Sequence, residues 1–286
     1  MTRGHRSERT ASYERSQGAD ARVRFDARGV LDAFPLISAA ECDAVVRDAL
    51  ACGPVLSWHK GLHEFDSACS RVARLPRLVE IVTGLLGEDV ILWAAQNVSQ
   101  QPGGQHRWHA DAEAMAWPTV NVWIGLRNVG ANSFLSILEG SHSSGVAPQD
   151  LDPAIDLLDD EQVVMAALGR RSGVERRDLE MEVGEALVFD GRLWHASRTP
   201  GSLRRSALLL QYSPASAVPK ILAGTPTSPT WEERPPACLL VAGARSRVDA
   251  ANVIIDRQRR VPGALMTSTR RVAARLGSAR RRMGGA

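Results

Sequence analysis

Between Val90 and Tyr212 the apolar residues fall into seven short runs, Val90–Val98, His106–Asp111, Thr119–Leu126, Phe134–Leu138, Glu185–Phe189, Leu193–Ala196 and Ser206–Tyr212, separated by glycine, proline and asparagine. Runs this short and this closely spaced read as strands, and their number predicts an all-β core. Helices are expected only at its flank. Ser38-Ala-Ala-Glu41 is a capping box, and Cys42, Val45, Val46, Ala49 and Leu50 follow at helical spacing up to Gly53. A second helix is predicted from Pro76, a favoured first-turn residue, through Leu78, Val79, Val82, Leu85 and Leu86 to Gly87.

The rest of the chain sorts around that core. Residues 1–25 are polar and aperiodic and are expected to be disordered. The domain is expected over 26–220, with an acidic and charged insertion at 145–180 long enough to act as a lid. Residues 221–286 form a C-terminal extension. From Val241 onward it carries eleven arginines against two aspartates, a balance of +9 that leaves about −6 for the remainder of a chain whose net charge is +3. Basicity therefore belongs to the tail. An attachment to nucleic acid or an anionic membrane through that tail is the alternative reading, but a solvated extension is preferred and nucleic acid is not an expected partner. The four cysteines show no C-x-x-C spacing, which argues against a zinc site or a disulfide framework. The first residues lack an apolar leader core, and the longest apolar stretch, about 237–244, is far short of the roughly 20 residues a membrane helix needs. A cytoplasmic protein is expected, its oligomeric state left open.

One spacing carries chemistry. His109-Ala-Asp111 lies on a predicted strand, where residues i and i+2 share a face, so an imidazole and a carboxylate can meet one metal while Ala110 turns away. His195 offers a third ligand. Two histidines and one carboxylate on one side of an octahedral ion leave the opposite positions open, the arrangement of non-haem Fe(II) oxygenases. Beyond His195 stand Ser197 and, entering an apolar strand, Arg205. A guanidinium drawn inside needs a carboxylate, and its planar fork suits bidentate capture of one.

The order His109-x-Asp111, Thr119-Val-Asn-Val-Trp-Ile-Gly-Leu, Phe134-Leu-Ser-Ile-Leu-Glu-Gly-Ser-His142, Gly184–Phe189 and His195-x-Ser197…Arg205 resembles the phytanoyl-CoA dioxygenase family of Fe(II)/2-oxoglutarate oxygenases over roughly residues 28–215. The resemblance implies a double-stranded β-helix, or jelly roll, mainly β with flanking helices. It implies iron held by His109, Asp111 and His195, with O2 as oxidant and 2-oxoglutarate as cosubstrate. Arg205 and Ser197 would hold the cosubstrate's distal carboxylate, and Trp123 and Asn97 would wall the site. Arg204 is the rival to Arg205, and adjacent strand residues face opposite ways. Glu139 departs from the family's usual proline, and no coenzyme A site is recognisable. Halogenases of the family replace the carboxylate ligand by a small residue, so Asp111 argues for hydroxylation, desaturation or oxidative cyclisation.

The substrate is expected to be a small or medium polar metabolite, such as a glycoside or a natural-product intermediate, with an acyl-CoA or acyl-carrier substrate as the alternative. Glu113, Trp117, Trp58, His106 and Trp194 are candidate substrate contacts. Trp108 belongs with the tryptophans that could stack on a ring. His106 lies three residues from His109, on the opposite strand parity, which places it behind the triad or at the surface. His59 and His63, spaced i, i+4, are a weaker metal or substrate-loop pair, and His142 is read as structural.

Overall fold

The computed structural model describes residues 20–51, 60–64, 67–111, 117–217 and 237–243. Its strands are β1 (Phe34–Pro35), β2 (Val90–Gln100), β3 (Gln105–His109), β4 (Val120–Arg127), β5 (Phe134–Glu139), β6 (Glu175–Leu179), β7 (Glu185–Asp190), β8 (His195–Arg198), β9 (Arg205–Pro214) and β10 (Leu239–Ala242). All seven expected strands are present, each end within two residues of its expected place. They form a six-stranded sheet in the order β1-β7-β4-β9-β2-β10 and a four-stranded sheet in the order β3-β8-β5-β6. From β2 to β5 the chain changes sheet with every strand, and it does so again from β7 to β9. Two facing antiparallel sheets joined in this way make the double-stranded β-helix.

Alternation along each strand separates two environments. On the large sheet Val122, Ile124, Val188, Leu208, Leu210 and Tyr212 face outward into a core shared with helices α2 (Ala39–Ala51), α3 (Ser67–Val72) and α4 (Pro76–Leu86). The intervening Trp123, Leu187, Phe189, Ala207 and Leu209 face the small sheet and meet Leu135 and Ile137. Helix α2 begins as its sequence dictates, with the Ser38 amide bonded to the Glu41 carboxylate at 2.8 Å and the Glu41 amide to Ser38 Oγ at 3.3 Å. Tyr212 seals the helical face by donating to the Ala73 carbonyl at 3.0 Å.

Three boundaries differ from expectation. Residues 20–28 form a helix, α1, whose Phe25 enters the helical core, so the fold begins before residue 26. The 145–180 insertion does not cover the space between the sheets. Its helix α5 (Asp160–Leu168) packs Val163 and Ala167 on the outer face of the small sheet, against Trp108, Leu138, Trp194 and Ala196, and its last part is strand β6. Asp160 ties it down, accepting from Trp108 Nε1 at 2.8 Å and pairing with Arg198. Finally, residues of the C-terminal extension return to the large sheet, where β10 pairs with β2. The Arg-rich segment beyond 243 lies outside the described residues, and among those described no helix is long and apolar enough to cross a membrane.

Candidate metal centre

The site forms where the small sheet faces the large one. β3 and β8 pair so that His109 and His195 are direct cross-strand neighbours, with ring centroids 4.1 Å apart. Cross-strand neighbours on one face are the nearest pair a sheet offers. β3 ends at His109, and Asp111 sits in the turn beyond it rather than on the strand. Its carboxylate still converges, Oδ1 lying 3.5 Å from His109 Nε2 and Oδ2 3.9 Å from His195 Nε2. The peptide between the two ligands is clamped by Gln149, which accepts from the Ala110 amide and donates to the Ala110 carbonyl, both at 3.0 Å. Sequence reasoning gave Gln149 no part in the site, because the contact spans 39 residues.

Among the described residues His109, Asp111 and His195 are the group able to ligate a metal, with candidate atoms all within 4.8 Å of one another. The imidazoles are oriented for it. His109 Nδ1 lies 2.9 Å from the Arg107 carbonyl and His195 Nδ1 3.0 Å from the Leu193 carbonyl, so each Nδ1 carries the proton and each Nε2 presents a lone pair. Burial, and then the neighbouring His109, push His195 down to about 4, which keeps it neutral at physiological pH. Burial alone would favour protonation of Asp111. A hydrogen bond from His109 and the charge the two imidazoles carry when protonated at low pH outweigh it, so the carboxyl is held well below its usual range.

Arg205 supplies the second half of the site. It is 2% exposed, and Nε and Nη1 have no hydrogen-bond partner. Its guanidinium carbon lies 5.5 Å from the Trp123 ring centroid, and burial lowers its pKa to about 10. No carboxylate among the described residues pairs with it, and a buried cation in that state is costly to the free protein and suited to an anionic ligand. Arg205, Ser197 and Trp123 line one cavity of about 290 Å³ together with the triad, Phe189, Gln96, Gln100, Gln101 and Gln105. Arg204 points the other way, donating to Ser99 Oγ at 2.6 Å, so Arg205 is the inward arginine of the pair.

Other expectations separate here. His106 also lines the cavity, its ring centroid 4.1 Å from that of His109. A register shift between His106 and His109 cancels the parity that would have turned it away. Asn97 is not a wall residue. It lies on the helical face of β2, bonded to Ser206 Oγ at 2.7 Å, because Gln96 and Val98 take the inward positions. Trp194 is fully buried in the outer core with its Nε1 on the Val146 carbonyl, and Trp108 shares that core. Trp117 packs edge-on against Trp93, centroids 5.7 Å apart, and is not among the cavity residues. Trp58, His59 and Glu113 lie outside the described residues. His63 is a buried structural residue on the Ala237 carbonyl, and His142 contacts the Asp26 carbonyl.

The turn before β8 is built to deliver His195. Ser141 Oγ donates to the Leu138 carbonyl and accepts from the Trp194 amide at 2.9 Å. Glu139, which stands in place of the family's proline, receives both Arg28 Nε and Nη2 at 2.8 Å and also pairs with Arg177. Helix α1 is thus fastened to the small sheet through the residue that departs from the pattern.

A family model, phytanoyl-CoA dioxygenase, matches residues 7–206. The chain belongs to that family. A curated relative, L-proline trans-4-hydroxylase of Streptomyces griseoviridis, is 30% identical over 181 residues, which span 56% of this chain and 68% of the relative. Solved structures share the fold. The non-heme monooxygenase ThoJ in its apo form superposes with a TM-score of 0.62 at 20% identity, over 90% of this chain and 95% of its own. The epimerase SnoN in complex with Fe3+, alpha ketoglutarate and nogalamycin RO gives 0.55 at 16% identity, over 70% of this chain and 84% of its own. The chain is an Fe(II)/2-oxoglutarate-dependent oxygenase. Its residues fit both groups, with two imidazoles and a carboxylate for iron and a buried guanidinium with two unpartnered nitrogens for the cosubstrate's far carboxylate.

Proposed function

We propose that this oxygenase hydroxylates a small polar metabolite at a carbon held beside the triad. The observation that carries the reading is the cavity wall. Gln96, Gln100, Gln101 and Gln105 share one cavity with His109, Asp111 and His195, and their neutral amides can both donate to and accept from a substrate's polar groups. A hydroxylase of a free amino acid among the curated relatives supports that size and polarity. The stacking argument for a glycoside loses support, since Trp108 and Trp194 belong to the outer core and Trp117 to the contact with Trp93.

Iron and 2-oxoglutarate, when bound, would activate O2, which supplies the oxidising equivalent for breaking a C–H bond. The protein's own part is positional. Arg205 would hold the cosubstrate's distal carboxylate, and Ser197 lines the same cavity. The Arg107 and Leu193 carbonyls hold the Nδ1–H side of His109 and His195 and so turn each Nε2 toward the centre. Asp111 retains a carboxylate at the centre, which favours hydroxylation over halogenation.

Turnover of a panel containing free amino acids, glycosides and acyl-CoA thioesters, read as succinate released together with an oxidised product, tests the proposal. Coupled turnover of an amino acid or another small polar metabolite is the expected result. Coupled turnover confined to acyl-CoA thioesters would overturn it.

A further inference from the structure

Asp111 meets a second partner besides the histidines. Asn121 lies on the inward face of β4, is fully buried, and donates through Nδ2 to Asp111 Oδ2 at 2.7 Å. Its own Oδ1 accepts from Gln211 Nε2 at 3.3 Å, and Asn121 and Gln211 are direct partners in the β4–β9 ladder. Two polar side chains inside strands that otherwise read Val-x-Val-Trp-Ile and Leu-Leu-Leu-x-Tyr need a reason, because a buried amide is costly unless it is bonded. The direction of this chain supplies one. An asparagine amide can be turned by half a rotation, and the Asp111 carboxylate decides the matter because it can only accept: it takes Nδ2, and Oδ1 is left to accept from Gln211, which braces the amide in that direction.

We infer that Asn121, braced by Gln211, is a positioning residue that holds Asp111 through Oδ2 and so biases the carboxylate toward offering Oδ1 to the metal. The consequence is a count of open positions. A carboxylate free to bind through both oxygens would fill one of the places that cosubstrate and oxygen require, and a hydrogen bond that draws Oδ2 toward Asn121 disfavours that second contact. Partners of this kind behind a ligand commonly contribute 10–100-fold to metal affinity. The inference rests on the metal-centre reading and not on the identity of the substrate.

The test measures metal binding directly, by anaerobic competition of the full chain with a chromophoric chelator for Fe(II), and by the visible d–d absorption of the Co(II)-loaded protein. Asn121→Val removes the donor at similar volume. It is expected to weaken Fe(II) by about tenfold or more and to alter the Co(II) bands, which report coordination number and which a packing defect away from the metal would not move. Gln211→Met keeps β9 filled and removes only the bracing donor, so a smaller change in the same direction is expected, and it serves if Asn121→Val does not fold. Wild-type affinity and unchanged Co(II) bands in a folded Asn121→Val or Gln211→Met protein would overturn the inference. A wild-type protein that binds neither ion would overturn it together with the metal centre. Failure of 2-oxoglutarate to bind beside a retained metal would count against the cosubstrate assignment alone.

Discussion

Strand β9 contains two proteins in one segment. Arg205, Ala207, Leu209 and Gln211 face the cavity side, while Ser206, Leu208, Leu210 and Tyr212 face the helices. The helical face is apolar, and its one large polar group, the Tyr212 hydroxyl, is bonded to a backbone carbonyl. The cavity face carries a guanidinium with unpartnered nitrogens and a glutamine with an unpartnered oxygen. One face is spent on stability and the other keeps unmet hydrogen-bonding capacity for ligands, and the pleat separates them by a single residue.

The comparison fails most completely if the cavity face is not a ligand site. His109→Ala or His195→Ala is expected to reduce metal binding and turnover to the background of the metal-free protein, with little loss of fold. Metal titration followed by near-ultraviolet dichroism checks both statements. Arg205→Leu turns a cavity position into a core position. It is expected to weaken 2-oxoglutarate by about 100-fold or more, from the loss of charge-assisted hydrogen bonds. The ligand-free protein should at the same time melt about 2–4 °C higher, because the uncompensated buried charge is gone. Isothermal binding and thermal melts of the same sample would separate the two effects.

Leu208→Ala probes the other face of the strand. A loss of about 2–5 kcal/mol in stability is expected from the vacated volume, with 2-oxoglutarate affinity unchanged in the protein that remains folded. Denaturant melts and the cosubstrate KM measure the two quantities. A large change in KM would mean that the faces are not independent.

The smallest effect expected is on pH. His195 takes up a proton near 6.5 when unfolded but only near 4 in the folded protein. Between those values the unfolded state binds more protons, so the stability of the metal-free protein declines as pH falls through the window and is recovered as pH rises. The slope for one such group is at most about 1.4 kcal/mol per pH unit. Metal loading should steepen the decline, since protons and metal compete for the same nitrogens. Chemical denaturation of the His195→Ala protein, in which this contribution should vanish, identifies the group responsible.

Much of this was legible in the chain. Short, nearly continuous apolar runs mark β2, β4, β7 and β9 because both faces of these strands are buried, one under the helices and the other against the small sheet, so the pressure acts on almost every residue. His109, Asp111, His195, Ser197 and Arg205 were legible because ligand spacing and an arginine in an apolar strand are local signals. The register shift that brings His106 to the triad is not local, and the parity argument failed there. Asn97 was lost to the same arithmetic, since the inward places on β2 belong to Gln96 and Val98. Strand β10 and the outer helix α5 depend on partners far along the chain, and their own residues do not name them. Asn121 and Gln211 did leave a trace, a polar residue at the centre of an apolar strand. The same reasoning that noticed Arg205 would have found them.

The central claim is that one cavity holds a metal through His109, Asp111 and His195 and a dicarboxylate through Arg205. Its most direct test is the visible difference spectrum on anaerobic addition of Fe(II) and then 2-oxoglutarate. The account predicts a weak charge-transfer band in the wild-type protein that is absent in His109→Ala and His195→Ala and needs much more 2-oxoglutarate to develop in Arg205→Leu. A folded wild-type protein with no such band, or a band at full strength in both histidine variants, would contradict it.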